Sequence, residues 1–523
     1  MAMKKAPIRK TTAKKTTSPR KTAAPKKITA KPKPAAVLSK PSGNGNAAGL
    51  RVRMYRVGFG DFFLLTVPGD DGPQHVLIDC GVTPGTTHKG DIGTIKDAVA
   101  DMAKETGNRL ALIIMTHRHM DHIIGFSRCG DVFQNIKVDA VWMPYWESEY
   151  DADGSQSKAS KFQEGLTALA LQMQQHLALA FKAGESHDVD DALGMLRNAT
   201  GIDHEAMAAA GTGAASKKGT GGGSNKQSLT MLKTGLGVTP EYYARGDKPK
   251  IPPALAATGL TAEILGPPPA EAADSFMKLT DLQKGVGQYL GAGDGIGNGK
   301  KFAPFGRDWW ATSGDYKSSA FREWEPRPND ATNVPAIQRL ESAVNNAQPD
   351  LLLTAVKNLD RFLNNQSLVV LFTFQGKKLL FVGDAQAGNW EYWMYGGTPN
   401  KAPSVDTMTA EGKAILGSLD FYKVGHHGST NATPVTAVEA MGGNFASLCS
   451  TQEDSYGDPT KGTEVPREPL LEALEKKSAL VRSDQIKVTV GDGVDPAPDA
   501  PKAIPEPTRG KFEVGSIYID YLF

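Results

Sequence analysis

The sequence predicts an α/β fold of layered sheets and helices, and three observations carry that prediction. Short apolar or β-prone runs recur along the chain, bounded by turn residues. Stretches of helical composition lie between them. Four of the runs end abruptly at Asp, His or Gly, as strands do where they leave a sheet edge. With 523 residues, 40% of them hydrophobic, and with Trp, Tyr and Phe throughout, the chain can bury a large core.

In chain order, Arg51 to Val57 alternates apolar and polar positions like a strand. Phe62 to Val67 and Gln74 to Asp79 read as two more, joined through the turn-rich Pro68-Gly69-Asp70-Asp71-Gly72-Pro73. A helix is expected from Gly93 to Glu105, a buried strand from Leu110 to Met115 and another from Val138 to Met143. Ser155 to Ala183 is helical in composition. Residues 150–350 read as a helical and loop insertion over the site mouth, broken by a short strand, Thr261 to Leu265. Gly211 to Ser224 and Gly291 to Gly299 are loops by composition. Leu368 to Phe374 and Lys377 to Val382 form a hairpin across Gln375-Gly376. Strands follow at Phe421 to Val424 and Ala446 to Ser450, and helices at Pro434 to Met441 and Pro469 to Lys477. Gln485 to Val490 and Phe512 to Tyr521 are the last strand-like segments.

The charge is unevenly placed. Residues 1–40 hold thirteen Lys or Arg and no Asp or Glu, so the formal +2 divides into +13 there and −11 elsewhere. That segment is rich in Ala, Thr and Pro and cannot fold alone. Residues 1–48 are therefore expected to be a disordered basic tail, and 49–523 the folded domain carrying the insertion. The tail suits nucleic acid or another polyanion as a partner, through neutralised phosphates. It lacks the apolar stretch of a secretory signal, and no run of about eighteen apolar residues exists to span a membrane. Cys80, Cys129 and Cys449 are too few and too scattered for a disulfide framework, which fits a cytoplasmic location.

The chemistry concentrates in Thr116-His117-Arg118-His119-Met120-Asp121-His122, directly after an apolar run. Three imidazoles and a carboxylate in six positions are metal-ligand types, and such a cluster is hard to explain as packing because buried charge without a partner is costly. On an extended backbone His117 and His119 point the same way. Asp79, Asp384 and the pair His426-His427 stand at three other strand ends, and in a layered fold ends on one edge converge. Asp61 reads as a turn residue. Trp142, Tyr145 and Trp146 suit either a cleft lining or a core.

These residues resemble the signature of the metallo-β-lactamase superfamily, an αββα sandwich. Its H-x-H-x-D-H motif matches His117, His119, Asp121 and His122; its bridging aspartate matches Asp384, its last histidine the 426–427 pair, and its early aspartate Asp79. Val57-Gly58-Phe59-Gly60-Asp61, Asn365-Gln366-Ser367-Leu368-Val369 and Lys423-Val424-Gly425-His426-His427-Gly428-Ser429 resemble the branch that contains the nuclease-like domain of ComEC DNA-uptake proteins. The likeness covers roughly residues 50–145 and 365–460. It departs from the family in two places. Asn364 and Asn365 stand where most members have a third metal-binding histidine, and Tyr456-Gly457-Asp458-Pro459 replaces the branch's Tyr-Gly-His-Pro.

The resemblance implies two divalent ions, Zn²⁺ first and Mn²⁺ as the alternative. One is expected on His117, His119 and Asp384, completed by water or an asparagine oxygen. The other is expected on Asp121, His122, Asp384 and His426. The motif leaves open which of His426 and His427 is the ligand; His426 is assigned to metal and His427 to substrate contact or general-acid work. Asp121 and Asp79 complete the expected catalytic set, Asp79 by orienting a ligand imidazole. The expected activity is hydrolysis by a hydroxide held between the ions, acting on a phosphodiester in nucleic acid or a nucleotide. Two other readings stand beside it: a hydrolase of a carboxylic ester, thioester or lactam, and a polyanion-binding protein whose metal is structural.

Overall fold

The computed structural model describes residues 49–83, 94–150, 154–155, 157–180, 187–202, 224–276, 349–400, 402–457, 459, 462–484, 505, 507 and 509–523. The basic tail, the glycine-rich loops within 211–223 and 291–299, the segment Gln485 to Val490 and Asp458 lie outside the described residues.

The described residues form a mixed α/β structure built on two large sheets. The early strands are β1 (Arg51–Tyr55), β2 (Phe62–Val67), β3 (Gln74–Cys80), β4 (Arg109–Leu110), β5 (Leu112–Ile114), β6 (Lys137–Val138), β7 (Val141–Pro144) and β8 (Glu241–Tyr243). The later ones are β9 (Thr261–Gly266), β10 (Val369–Phe374), β11 (Lys377–Phe381), β12 (Phe421–Lys423), β13 (Phe445–Cys449), β14 (Ser478–Arg482), β15 (Lys511–Val514) and β16 (Tyr518–Leu522). The eight-stranded sheet runs β15-β16-β1-β2-β3-β5-β7-β8 and the six-stranded sheet β14-β13-β12-β11-β10-β9; β4 and β6 pair separately.

Both sheets follow one plan. Each is antiparallel on one side and becomes parallel on the other, from β3 onward in the first and from β11 onward in the second. Parallel neighbours bring their C-terminal ends to one edge, which is where ligands gather in such sheets. Asp79 and the 117–122 segment therefore share one edge, and Asp384 and the 426–427 pair share another.

Period-2 alternation sorts the side chains. Val52, Met54, Phe63, Leu65, Val76 and Ile78 of the first sheet cluster with Val370, Phe372, Leu379, Phe381, Ala446 and Leu448 of the second, so one core lies between the sheets. Leu64, Leu77 and Ile113 point the other way, onto helices Ile95–Glu105 and Met120–Arg128. Leu371, Leu380 and Tyr422 likewise meet helices Ala387–Met394, Ala410–Leu416 and Glu468–Glu475. Each fully buried Phe or Leu in these layers contributes about 1.5–3 kcal/mol. Trp142 is wholly buried in the inter-sheet core against Tyr243, whereas Trp146 packs with the insertion helices.

The expected elements shift by a residue or two. The helix begins at Ile95 because Thr94 and Asp97 close a capping box around its first turn. The hairpin turns at Gln375 (φ 47°) and Gly376 (φ 79°), the left-handed pair of a type I′ turn. Leu110 to Met115 divides into β4 and β5, and Val138 to Met143 into β6 and β7, the halves pairing with different partners. The C-terminal segment is itself a hairpin, β15 and β16. Residues 150–350 supply β8 and β9, one to each sheet edge, as well as helices Lys158–Ala180 and His187–Thr200. Those two helices share a small core with helix Pro349–Asn364. Among the described residues, no helix is long and apolar enough to cross a membrane. Cys80, Cys129 and Cys449 are buried free thiols.

Candidate metal centre

The two C-terminal sheet edges meet. A backbone bond joins them, Leu368 N–H donating to the Thr116 carbonyl at 2.8 Å, and within the first edge Asp61 N–H donates to that of Asp121 at 2.9 Å. Gly81 lets the chain after β3 lie directly against the 117–122 segment, because a Cβ there would stand 2.1 Å from the Asp121 carbonyl carbon. Three site residues, Asp79 (φ 55°), His426 (φ 42°) and His427 (φ 53°), hold left-handed backbone that a side chain normally avoids. Such conformations persist where the surroundings over-determine them, commonly at functional sites.

The 117–122 segment is extended and then turns into helix Met120–Arg128. His117 and His119 lie on one side, ring centroids 4.7 Å apart. Arg118 points the other way and grips Glu147 through Nε and one terminal nitrogen, each at 2.8 Å. The insertion braces this loop. Asn198 Oδ1 accepts from Asp121 N–H at 3.1 Å, and Asn225 Nδ2 donates to the Arg118 carbonyl at 2.9 Å.

Asp121, His122, Asp384 and His427 form one group whose ligand atoms all lie within 4.8 Å of one another. His122 Nε2 is 3.0 Å from Asp384 Oδ2, and His427 Nε2 is 3.2 Å from Asp121 Oδ2. Neither ring nitrogen has the alignment of a hydrogen bond. His426 stands on the outer side, its Nε2 3.8 Å from Asp384 Oδ2 and its side chain 18% exposed. His426 Nε2 accepts from Asn364 Nδ2 at 3.3 Å, and Nδ1 donates to Asn431 Oδ1 at 3.1 Å. The geometric group thus takes in His427, whose Nε2 is buried, rather than His426, the residue that the motif reading assigned to metal. Two successive left-handed residues turn the paired imidazoles to different sides.

Hydrogen bonds at Nδ1 decide how each inner imidazole presents Nε2. His427 Nδ1 donates to the Ser450 carbonyl at 2.8 Å, and His122 Nδ1 donates to Asp79 Oδ2 at 2.7 Å. Asp79 also accepts from Thr116 N–H at 2.8 Å and Thr116 Oγ1–H at 2.6 Å. His117 Nδ1 meets that same hydroxyl oxygen at 3.2 Å, so Asp79 organises His122 directly and His117 through Thr116.

Asp61 is not a simple turn residue. It is buried beneath the centre, paired with Lys423 and 3.5 Å from His427 Nδ1. Lys423 also donates to the Gly383 carbonyl at 2.9 Å and lies 3.6 Å from Asp384 Oδ1. Burial opposes charge on Lys423, but Asp61 and Asp384 outweigh it and keep the ammonium protonated. Asp360 was missed altogether. It lies mid-helix in a segment with no motif, and its Oδ1 is 3.9 Å from His119 Nε2.

The electrostatics divide the site. For His122, burial opposes protonation, yet Asp384, Asp79, Asp121 and Asp61 raise the imidazole above its ordinary value. His427 is raised in the same way against burial, chiefly by Asp384 and Asp61. Asp121 is held down at about 2 despite burial, by His122 and His427. On the outer side burial dominates, pushing His119 down to about 4 and His117 well below its ordinary value. Asp360 rises to about 7 through burial and the nearby Asp121 and Asp384 charges.

Nε2 of His117, His119, His122 and His427, with Oδ1 of Asp121, Asp384 and Asn364, are buried without hydrogen-bond partners. Buried polar atoms left without partners cost about 1–3 kcal/mol each unless something binds them. Imidazole nitrogens with carboxylate oxygens are a donor set for zinc, manganese and similar divalent ions. No protein-family model and no curated protein matches this chain.

Proposed function

We propose that the chain is a dinuclear metal-dependent hydrolase of the metallo-β-lactamase superfamily, acting on phosphodiesters. The observation that carries this reading is the convergence of orphaned imidazole and carboxylate lone pairs from both sheet edges. The layering of helices outside two face-packed sheets agrees with an αββα sandwich. His117, His119 and Asp384 would hold one cation; Asp121, His122, Asp384 and His427 would hold the other. When bound, such a pair supplies Lewis acidity and lowers the pKa of water towards neutrality.

The chain's own residues do the rest. Asp79 keeps Nδ1 of His122 protonated, so Nε2 faces the cations as a lone pair. The Ser450 carbonyl does the same for His427. Lys423 anchors the loop of Asp384 by its bond to Gly383. His426, partly open to solvent, takes the substrate-facing role in place of His427. The similarity of the segments around Asp61, Ser367 and His426 to the ComEC-like branch favours phosphorus over carbonyl substrates. A basic tail of thirteen Lys or Arg suits a polyanionic substrate.

Metal analysis of the purified chain is expected to find about two ions. Bis-p-nitrophenyl phosphate should turn over with Mn²⁺ or Zn²⁺, faster than a p-nitrophenyl ester. Asp121→Ala should abolish turnover and leave the far-UV circular dichroism unchanged. Ester cleavage alone would move the substrate to the carboxyl class. Unaltered turnover in Asp121→Ala would remove this site from the chemistry. Bound metal with no turnover, and nucleic-acid affinity lost on deleting residues 1–40, would favour the polyanion-binding reading.

A further inference from the structure

The outer side of the site holds a carboxylate that no motif predicts. Asp360 sits on helix Pro349–Asn364, one turn before Asn364. Val356, Leu359 and Leu363 of this helix bury against the insertion helices. That packing leaves Asp360 and Asn364, four residues apart, on one neighbouring stripe. Asn364 Nδ2 donates to Asp360 Oδ2 at 3.1 Å and to His426 Nε2 at 3.3 Å. Both amide hydrogens are used, and Asn364 Oδ1 remains buried without a partner. Nε2 of His117 and of His119 are in the same condition.

Asp360 Oδ1 is 3.9 Å from His119 Nε2, too far for a hydrogen bond. Two ligands each about 2.1 Å from one ion lie roughly 3–4 Å apart, so this pair is spaced as ligands of a shared cation are. No three of His117, His119, Asp360 and Asp384 bring their ligand atoms within 4.8 Å of one another, whereas the inner group does. His426 is a poorer candidate here, because its Nε2 already accepts from Asn364.

We propose that Asp360 is a ligand of the first cation, forming with His117, His119 and Asp384 a set of two imidazoles and two carboxylates, with the Asn364 amide oxygen beside it. This inference rests on the metal-centre reading above. An anionic oxygen then stands near the position that a third imidazole fills in the family it resembles. Oxygen ligands favour harder ions, so the substitution tilts the first site towards Mn²⁺ relative to an all-imidazole set.

The test is Mn²⁺ loading of the full-length protein, followed by metal analysis and electron paramagnetic resonance. Wild type should bind about two ions and show an exchange-coupled signal. Asp360→Asn should keep one ion, bind the other roughly tenfold or more weakly, and give the six-line signal of isolated Mn²⁺. Asp360→Ala should behave alike, and it decides the matter if the Asn variant does not fold. Two ions at wild-type affinity with the coupled signal intact, in whichever variant folds, would overturn the role of Asp360. A wild-type protein that binds no ion would instead overturn the metal-centre reading itself.

Discussion

The inner and outer sides of the site use the same residue types in opposite electrostatic settings. On the inner side, His122 and His427 are each held at Nδ1 by a fixed acceptor and surrounded by Asp61, Asp79, Asp121 and Asp384. Carboxylates there outweigh burial and raise both imidazoles above their ordinary value. On the outer side, His117 and His119 are kept neutral by burial. The inner side is thus braced and favours positive charge, whereas burial on the outer side favours neutral imidazoles. The inner bracing comes from strand ends and a buried Lys, the outer carboxylate from a helix seated on the insertion.

The largest expected effect tests what the two sides share. Asp384 faces both, so Asp384→Ala should lower bound metal from about two ions to less than one. Phosphodiester turnover should fall by roughly a thousandfold, from several kcal/mol of lost charge stabilisation. Retention of both ions would break the idea of a common bridge. Second, Asp61→Ala removes the nearer of the two carboxylates that pair with Lys423, leaving Asp384 at 3.6 Å, and should cost up to about 3–5 kcal/mol in urea unfolding of the metal-free protein. Restoring most of that loss with Lys423→Met in the same chain would show that the pair, not the Asp61 backbone turn, is responsible.

A third test uses an imidazole away from the candidate metal centre. His75 is buried on β3 beside Thr66 and is pushed down to about 4, chiefly by burial. Its unfolded form takes a proton near pH 6.5, while the folded form stays neutral until about pH 4. The unfolded state therefore binds more protons in that window, and stability falls as pH drops, by about 1.4 kcal/mol per unit. His75→Gln should flatten that slope in denaturant titrations. An unchanged slope would mean that burial alone does not keep such imidazoles neutral, and would weaken the same account of His117 and His119. The smallest effect concerns the insertion's grip: Asn198→Ala removes the acceptor for Asp121 N–H and should cost about 1 kcal/mol of stability.

Local signals placed most of the centre before any fold was known. His117, His119, Asp121 and His122 announce themselves by ligand type and spacing, and Asp79 and Asp384 by strand ends beside glycine. Alternation and turn residues located the strands that form the inter-sheet core. The short strand Thr261 to Leu265 was legible and is β9, whereas β8 was not, because an edge strand of three residues leaves little periodic pattern. Helix Ala387–Met394 was overlooked for a related reason: Trp390, Trp393 and Met394 are buried together, so it lacks a clean polar face.

Composition, periodicity and ligand spacing are properties of neighbouring residues, so the chain alone could announce an α/β fold, a basic tail and a concentration of metal-ligand types. Which histidine of a pair turns inward, which buried Lys neutralises Asp61 and which helix brings Asp360 to His119 depend on contacts across hundreds of residues. Those choices follow from backbone conformation and from how sheet edges and insertion helices pack. No local pattern encodes them, because the partner that makes each residue functional lies elsewhere in the chain.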